Sequence, residues 1–207
     1  VNLGNSMRGI LRENGITIAS GKESFQSNIS ESIELVENPF IKSMLTSFLD
    51  QFNSLLTEEK KMEQRLLSYT QNMEAAQRLT SLPGVGLMTA CALIAVADDI
   101  SRFDSAKSFA SYLGLVPGES SSGDKRRMGK ITRSGSEILR RYLIHGARSV
   151  ITSSERYTTS LIKDQNKLWA LKLKKRSGMN KACVALAHRM SRIAYAMLRD
   201  GSHYESV

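Results

Sequence analysis

The sequence predicts an all-α protein: a long coiled-coil helix, then a compact helical domain with a helix-hairpin-helix element and a Gly/Ser-rich basic loop. Three observations lead there. Apolar residues from Ile41 to Ala76 step alternately by four and three, with no glycine or proline between them, which is heptad spacing. Outside that run, apolar residues recur at helical period rather than alternating as in a strand. The stretch Gly114–Gly135 is the one long irregular piece, and such loops inside compact domains are uncommon and tend to be functional or disordered.

Taken in order, residues 1–15 place Leu3, Met7, Ile10 and Leu11 on one helical face before Asn14-Gly15 stops the helix. Residues 23–36 carry Phe25, Ile29, Ile33 and Val36 on a second. Asn38-Pro39 is a helix start signal, an N-cap followed by proline at the first position. The seam that follows is Ile41, Leu45, Phe48, Phe52, Leu55, Glu59, Met62, Leu66, Tyr69, Met73 and Ala76, with only Glu59 polar. At ~1.5 Å per residue the seam from Ile41 to Ala76 spans about 55 Å. A coiled coil between protomers is one reading. The other is a helix packed within its own domain, since Leu49 and Leu56 widen the stripe.

Leu82-Pro-Gly-Val-Gly86 interrupts the helices, and Leu87, Ala90, Cys91, Leu93, Ile94 and Ala95 resume them. Helix, glycine turn, helix is a helix-hairpin-helix layout, in which Gly84 and Gly86 let backbone amides approach a phosphate at a helix N-terminus. A ligand-free αα-turn uses the same glycines. Asp98 and Asp99 point apart on a helix, so they read as termination or capping. Asp104 or Ser105 caps a short helix bearing Phe109, Tyr112 and Leu113, and Ser134 or Ser136 opens one bearing Ile138, Leu139, Tyr142, Leu143, Gly146 and Val150. Arg141 and Arg148 share a face of it, with Arg140 beside them, and His145 reads as a packed or partly exposed helix histidine. Residues 157–176 are mixed and end in the basic run Lys172, Lys174, Lys175, Arg176; Trp169 could stack on a base, with core or helix packing as the default reading. The last helix, Met179–Leu198, sets an apolar seam of Leu186, Met190, Ile193 and Met197 against a polar face of Lys181, His188, Arg192 and Arg199. A basic stripe on an amphipathic helix suits a nucleic-acid backbone. The tail over 202–207 is expected to fray.

The charge balance points the same way. With 29 basic and 20 acidic residues, net charge +9 and pI about 9.7, the chain favours a polyanionic partner, nucleic acid ahead of an anionic membrane. A soluble protein that is merely basic is the bland alternative. Cys91 and Cys183 sit in apolar helical contexts, as free thiols of a reducing cytoplasm do, and no zinc spacing is present. No apolar run is long enough to span a bilayer. The chain starts at Val1 with an amphipathic stretch already under way, as in a fragment of a longer protein.

In the central loop Gly118–Gly123 has P-loop glycine spacing, but Asp124 stands where the lysine must be and no strand precedes it. Ser122-Gly-Asp-Lys125 matches S-x-x-K without its partner motifs, and no G-x-S-x-G elbow exists. What remains is a serine aimed at a phosphodiester, with Lys125, Arg126, Arg127, Lys130 and Arg133 to stabilise charge on the non-bridging oxygens. The loop shows no obvious local base, and adjacent serines are also what a linker looks like.

Several motifs together resemble a known family: Leu82-Pro-Gly-Val-Gly86, Phe109-Ala-Ser-Tyr-Leu-Gly-Leu-Val-Pro117, Ser121-Ser-Gly-Asp-Lys-Arg-Arg127 with Gly129-Lys-Ile-Thr132 and Gly135, Leu139-Arg-Arg141, His145-Gly-Ala-Arg148, and Val184–Tyr195 with Leu198–Gly201. The chain is similar to the C-terminal transposase domain of the insertion-sequence family numbered one hundred and ten, relatives of the pilin-gene DNA invertase. The resemblance implies a DNA recombinase guided by a bridge RNA. Its N-terminal RNase H-like domain would hold Mg²⁺ on an Asp/Glu tetrad, and its C-terminal helical domain would carry the nucleophile, which falls on Ser122. It implies a composite site between protomers joined by the coiled coil, DNA and guide RNA as partners, and a prokaryotic cytoplasmic, nucleoid-associated location. In this frame residues 1–37 are linker helices after the acidic domain, 38–78 the dimerising helix and 79–201 the transposase domain. The acidic half is not in this sequence, so no metal or cofactor is expected in the chain itself, which alone is expected to be inactive. The rival from another class is a non-catalytic nucleic-acid-binding and dimerisation module.

Overall fold

The computed structural model describes residues 2–70, 73–122, 127–157 and 162–206. It is all-α apart from one two-stranded ribbon, and divides into two compact units, Val1–Arg65 and Leu66–Val207.

In the first unit, α1 (Asn2–Glu13), α2 (Lys22–Glu34) and the start of α3 (Pro39–Thr70) close on one core. Met7, Leu11, Phe25, Ile29, Ile33 and Leu45 are buried in it, the faces that the spacing assigned. The Phe25 ring meets Phe52 edge-on at 5.2 Å between centroids, a preferred aromatic geometry. Asn38 caps α3, its Oδ1 accepting from the Phe40 and Ile41 amides at 3.0 and 3.3 Å.

The heptad seam serves more than one purpose. Ile41, Leu45, Phe48 and Phe52 belong to the core of this unit, while Leu55, Met62 and Tyr69 stand 62%, 53% and 75% exposed. The expectation of one helix through residue 78 is corrected. The helix α3 ends at Thr70, Met73 is extended (φ −94°, ψ 97°), and a separate α4 covers Glu74–Thr80. Thr70 turns its hydroxyl back to the Leu66 carbonyl at 2.7 Å, a local competitor of helix continuation, and Ala76 and Leu79 are buried in the second unit's core.

The second unit adds α5 (Leu87–Ala97), a 3₁₀ turn (Ile100–Arg102), α6 (Ala106–Tyr112), the ribbon β1 (Pro117–Glu119) and β2 (Met128–Ile131), α7 (Glu137–Ser154), α8 (Gln165–Ser177) and α9 (Met179–Asp200). The axis is α9, against which α4, α6, α7 and α8 pack. Ala182, Ala187, Ser191 and Ala194 are fully buried along it, and small residues let neighbouring helices come close. Its Tyr195 hydroxyl donates to the Phe103 carbonyl at 2.8 Å. Asp99, Ser105 and Ser136 cap the elements that follow them.

Three further differences from the sequence reading have local causes. The mixed stretch contains α8, opened by Asp164, whose Oδ1 accepts from the Asn166 and Lys167 amides. The tail does not fray through 204: the Tyr204 hydroxyl donates to Asp164 at 2.8 Å, and its amide donates to the Ser81 hydroxyl at 3.0 Å. Finally, the central loop is not irregular throughout, because its two ends pair as an antiparallel ribbon.

Candidate nucleic-acid interface

The ribbon is built by its neck. Pro117 faces Ile131 and Glu119 faces Met128 across the strands, with an irregular register between. Below them the Thr132 amide donates to the Val116 carbonyl at 2.9 Å, and the Arg133 amide donates to the Gly114 carbonyl at 3.2 Å. Gly135 has φ 69°, and a Cβ there would strike the Tyr112 carbonyl oxygen, so only glycine lets the two ends close. Arg140 finishes the neck. It is buried, and one guanidinium nitrogen donates to the Leu113 carbonyl at 3.2 Å and the Ser134 carbonyl at 2.8 Å. Sequence placed Arg140 beside Arg141 and Arg148; the structure instead turns it inward to hold the ribbon's base on α7.

Beyond the neck lies the serine tip. The Ser120 amide donates to the Arg127 carbonyl at 3.0 Å. The Ser121 hydroxyl donates to Glu119 Oε1 at 2.7 Å and accepts from the Arg127 amide at 3.1 Å, so this serine laces the strands together. Ser122 follows, exposed. Of the predicted loop cations, Lys125 and Arg126 lie outside the described residues; Arg127, Lys130 and Arg133 are exposed on the ribbon and its neck. Arg133 adopts φ 59°, a conformation costly for a side-chain-bearing residue and fixed here by its bond to Gly114.

At the ribbon's base a cavity of about 1160 Å³ opens between the ribbon, α7, α8 and α9. It brings together Lys130, Arg133, Arg141 and Lys181, cations separated by up to fifty-one positions in sequence. Among the described residues Glu137 is the one acidic residue that lines it. Leu115, Ile131, Ile144, Val184 and Ala185 supply apolar wall, together with Trp169. The Arg189 guanidinium lies 4.8 Å from the Trp169 ring centroid, within cation–π range. His188 also lines the cavity, and its burial, with the nearby Arg192 charge, pulls its pKa below the ordinary imidazole value.

The other predicted residues lie elsewhere. Arg148 donates to Asn180 Oδ1 at 2.8 Å, and Asn180 lines the same cavity, so Arg148 borders the groove from α7. His145, Arg148, Ser149 and Thr152 of that helix, with Arg156 just past its end, form a second, shallower polar face. Arg192 is exposed on α9. Gly84 (φ 86°) is pressed onto α7: an added Cβ would lie 2.7 Å from the Gly146 carbonyl oxygen and 2.8 Å from Val150 Cγ2. That packing demands glycine without any ligand. Gly86 is exposed at the start of α5 and offers no side-chain cap, leaving helix-end amides of the kind that bind anions.

Sequence reasoning missed the clamp of Arg140, the Glu119–Ser121 pair and the groove position of Trp169. The first two depend on chain reversal at the ribbon, which carried no strand pattern; base stacking by Trp169 was open in the sequence, but its place in a groove depends on how α7, α8 and α9 pack. Among the described residues no three His, Cys, Asp or Glu side chains are grouped to hold a metal ion. No helix among them is long and apolar enough to cross a membrane.

Residues 76–161 match the profile of the Transposase IS116/IS110/IS902 family, a span that holds the glycine turn, the ribbon and α7. The chain is 35% identical to the transposase for insertion sequence element IS1111A of Coxiella burnetii, over 97% of this chain and 54% of the relative. It is 30% identical to a probable family 20 transposase of Pseudomonas aeruginosa, over 97% of this chain and 59% of the relative. A pilin gene-inverting protein of Moraxella lacunata is 27% identical over 80% of this chain and 50% of its own length. The chain therefore spans about half the length of the curated relatives it matches. The likeness to that family is carried by its profile over residues 76–161 and by the relatives over nearly the whole chain.

Proposed function

We propose that this chain is the serine-bearing, nucleic-acid-binding half of a DNA transposase, and that Ser122 is the nucleophile of phosphodiester cleavage and strand transfer. The observation that carries the reading is the exposed Ser122 on a ribbon whose neck is locked by Arg140, above a groove that gathers Lys130, Arg133, Arg141 and Lys181. A rigid base and a free hydroxyl are what positioning a nucleophile requires. In cleavage the Ser122 Oγ forms a bond to phosphorus while one ester P–O bond breaks. The serine proton passes to a base, and one DNA end leaves as a hydroxyl. In the second step a hydroxyl of the exchanging strand attacks the phosphoserine, and Ser122 recovers its proton. The ribbon cations Arg127, Lys130 and Arg133 stabilise charge on the non-bridging oxygens, with Lys125 and Arg126 adding to them. The amides at Gly86 and the side chains of Arg148 and Arg192 bind backbone phosphate outside the groove.

The rest of the assembly follows the same reading. Bridge RNA selects the DNA, Mg²⁺ belongs to acidic residues outside this chain, and protomers pair through the uncovered half of α3, so the chain alone does not exchange strands. The setting is the prokaryotic cytoplasm, at the nucleoid. The test is a covalent-adduct assay with a protein of the relatives' full length, guide RNA, Mg²⁺ and labelled target DNA, resolved after denaturation. An adduct with wild type that vanishes in Ser122→Ala and persists in Ser121→Ala supports the reading. Wild-type-like adduct from Ser122→Ala refutes it, and DNA binding with no adduct in any variant leaves the non-catalytic binding module in its place.

A further inference from the structure

The groove contains more than a phosphate site needs. Fixed cations alone hold a backbone, and phosphates take nothing from an apolar wall. Yet Lys130, Arg133, Arg141 and Lys181 rim a cavity of about 1160 Å³ into which Trp169 and His188 are built. Trp169 is the only tryptophan in the chain. At 37% exposed, and with Arg189 against its ring, it is an accessible aromatic surface backed by a cation. Aromatic faces beside backbone cations bind unpaired bases irrespective of sequence, because every base has a π-face. A base-paired duplex keeps its base faces stacked inside and has none to offer such a wall. His188, whose pKa burial and Arg192 pull below the ordinary imidazole value, in its neutral form donates from one ring nitrogen and accepts at the other, which suits the edge of a base.

We propose that this groove is a subsite for single-stranded nucleic acid, in which an unpaired base stacks on Trp169 beside His188 while Lys130, Arg133, Arg141 and Lys181 hold the flanking phosphates. The site so defined lies at the base of the ribbon that carries Ser122, so it would take a strand freed from its complement. The inference rests on the nucleic-acid-binding part of the reading above and not on the Ser122 chemistry.

The lone tryptophan supplies the readout. The chain is titrated with a short oligothymidylate, an abasic strand of equal length and charge, and a duplex of equal length, with Trp169 emission and the anisotropy of a labelled strand both followed. The expected result is quenching of Trp169 by oligothymidylate alone, with the abasic strand bound roughly tenfold more weakly. Trp169→Phe is expected to keep most of that preference by anisotropy, and Trp169→Ala to lose it. Equal affinity for abasic and base-bearing strands, with no quenching, overturns the base site and leaves a groove for phosphates. Equal quenching by the duplex overturns the single-strand preference. Binding of none of the three probes would overturn the nucleic-acid reading as well.

Discussion

Replacing Arg140 by methionine tests how the ribbon is held. The change keeps much of the buried stem and removes the two hydrogen bonds to the Leu113 and Ser134 carbonyls, at 3.2 and 2.8 Å. A hydrogen bond from a charged donor contributes ~1.5–3 kcal/mol. The pair therefore amounts to roughly 3–6 kcal/mol, part of which returns because a guanidinium no longer has to be buried. We expect a net loss of ~2–4 kcal/mol. Urea unfolding followed by Trp169 emission reads the second unit, and at an m-value of ~1–3 kcal/mol per molar the midpoint should fall by about 0.7–4 M. Amide exchange at Thr132 and Arg133, whose N–H groups bond across the neck to Val116 and Gly114, should speed up beyond what the global loss explains. Arg140→Lys keeps the charge without the planar fork and should recover only part of both effects. A midpoint unchanged within error, with neck amides still protected, would refute the clamp.

Three further outcomes follow from other parts of the molecule. Gly84→Ala combines a φ of 86° with a Cβ 2.7 Å from the Gly146 carbonyl oxygen, so it should cost ~1–3 kcal/mol or more in urea unfolding, whereas Gly86→Ala, with open space around it, should leave stability nearly unchanged and weaken DNA binding. His188 has a folded pKa below its ordinary value of 6.5, so below pH 6.5 the unfolded chain takes up a proton that the folded one resists. Stability should drop as pH falls from 6.5 toward the folded pKa, and His188→Gln should flatten that slope. Met62→Glu on the exposed half of α3, at a position 53% exposed, should leave the unfolding midpoint unchanged yet shift sedimentation toward the monomer; an unchanged oligomer would exclude that face as the contact.

Much of the helical fold was legible because its signals are local. Asn38, Ser105 and Ser136 announce helix starts within three residues of the amides they accept from, and apolar period marks the buried faces of α1, α2, α7 and α9. What escaped depends on distant partners. The ribbon pairs strands of three and four residues across a charged, serine-rich tip, too short for a period-two pattern to emerge. The heptad seam is continuous in sequence, but the chain uses Leu45 in one core and Ala76 in another and leaves Leu55 and Met62 bare, because identical spacing serves any apolar neighbour. Arg140 looks like Arg141 in sequence; only the fold brings two carbonyls to the first and open groove to the second. The basic set of the site was legible by composition, whereas its gathering into a cavity with Trp169 was not.

The central claim, that the ribbon presents Ser122 as the nucleophile, is tested most directly by locating the covalent bond. Adducts formed by a protein of the relatives' full length with guide RNA, Mg²⁺ and target DNA would be digested with nuclease and protease and the modified peptide sequenced by mass spectrometry. The account predicts a nucleotide phosphate on Ser122 and none on Ser120 or Ser121. A nucleotide on either neighbour, or on a residue outside the ribbon, would contradict it.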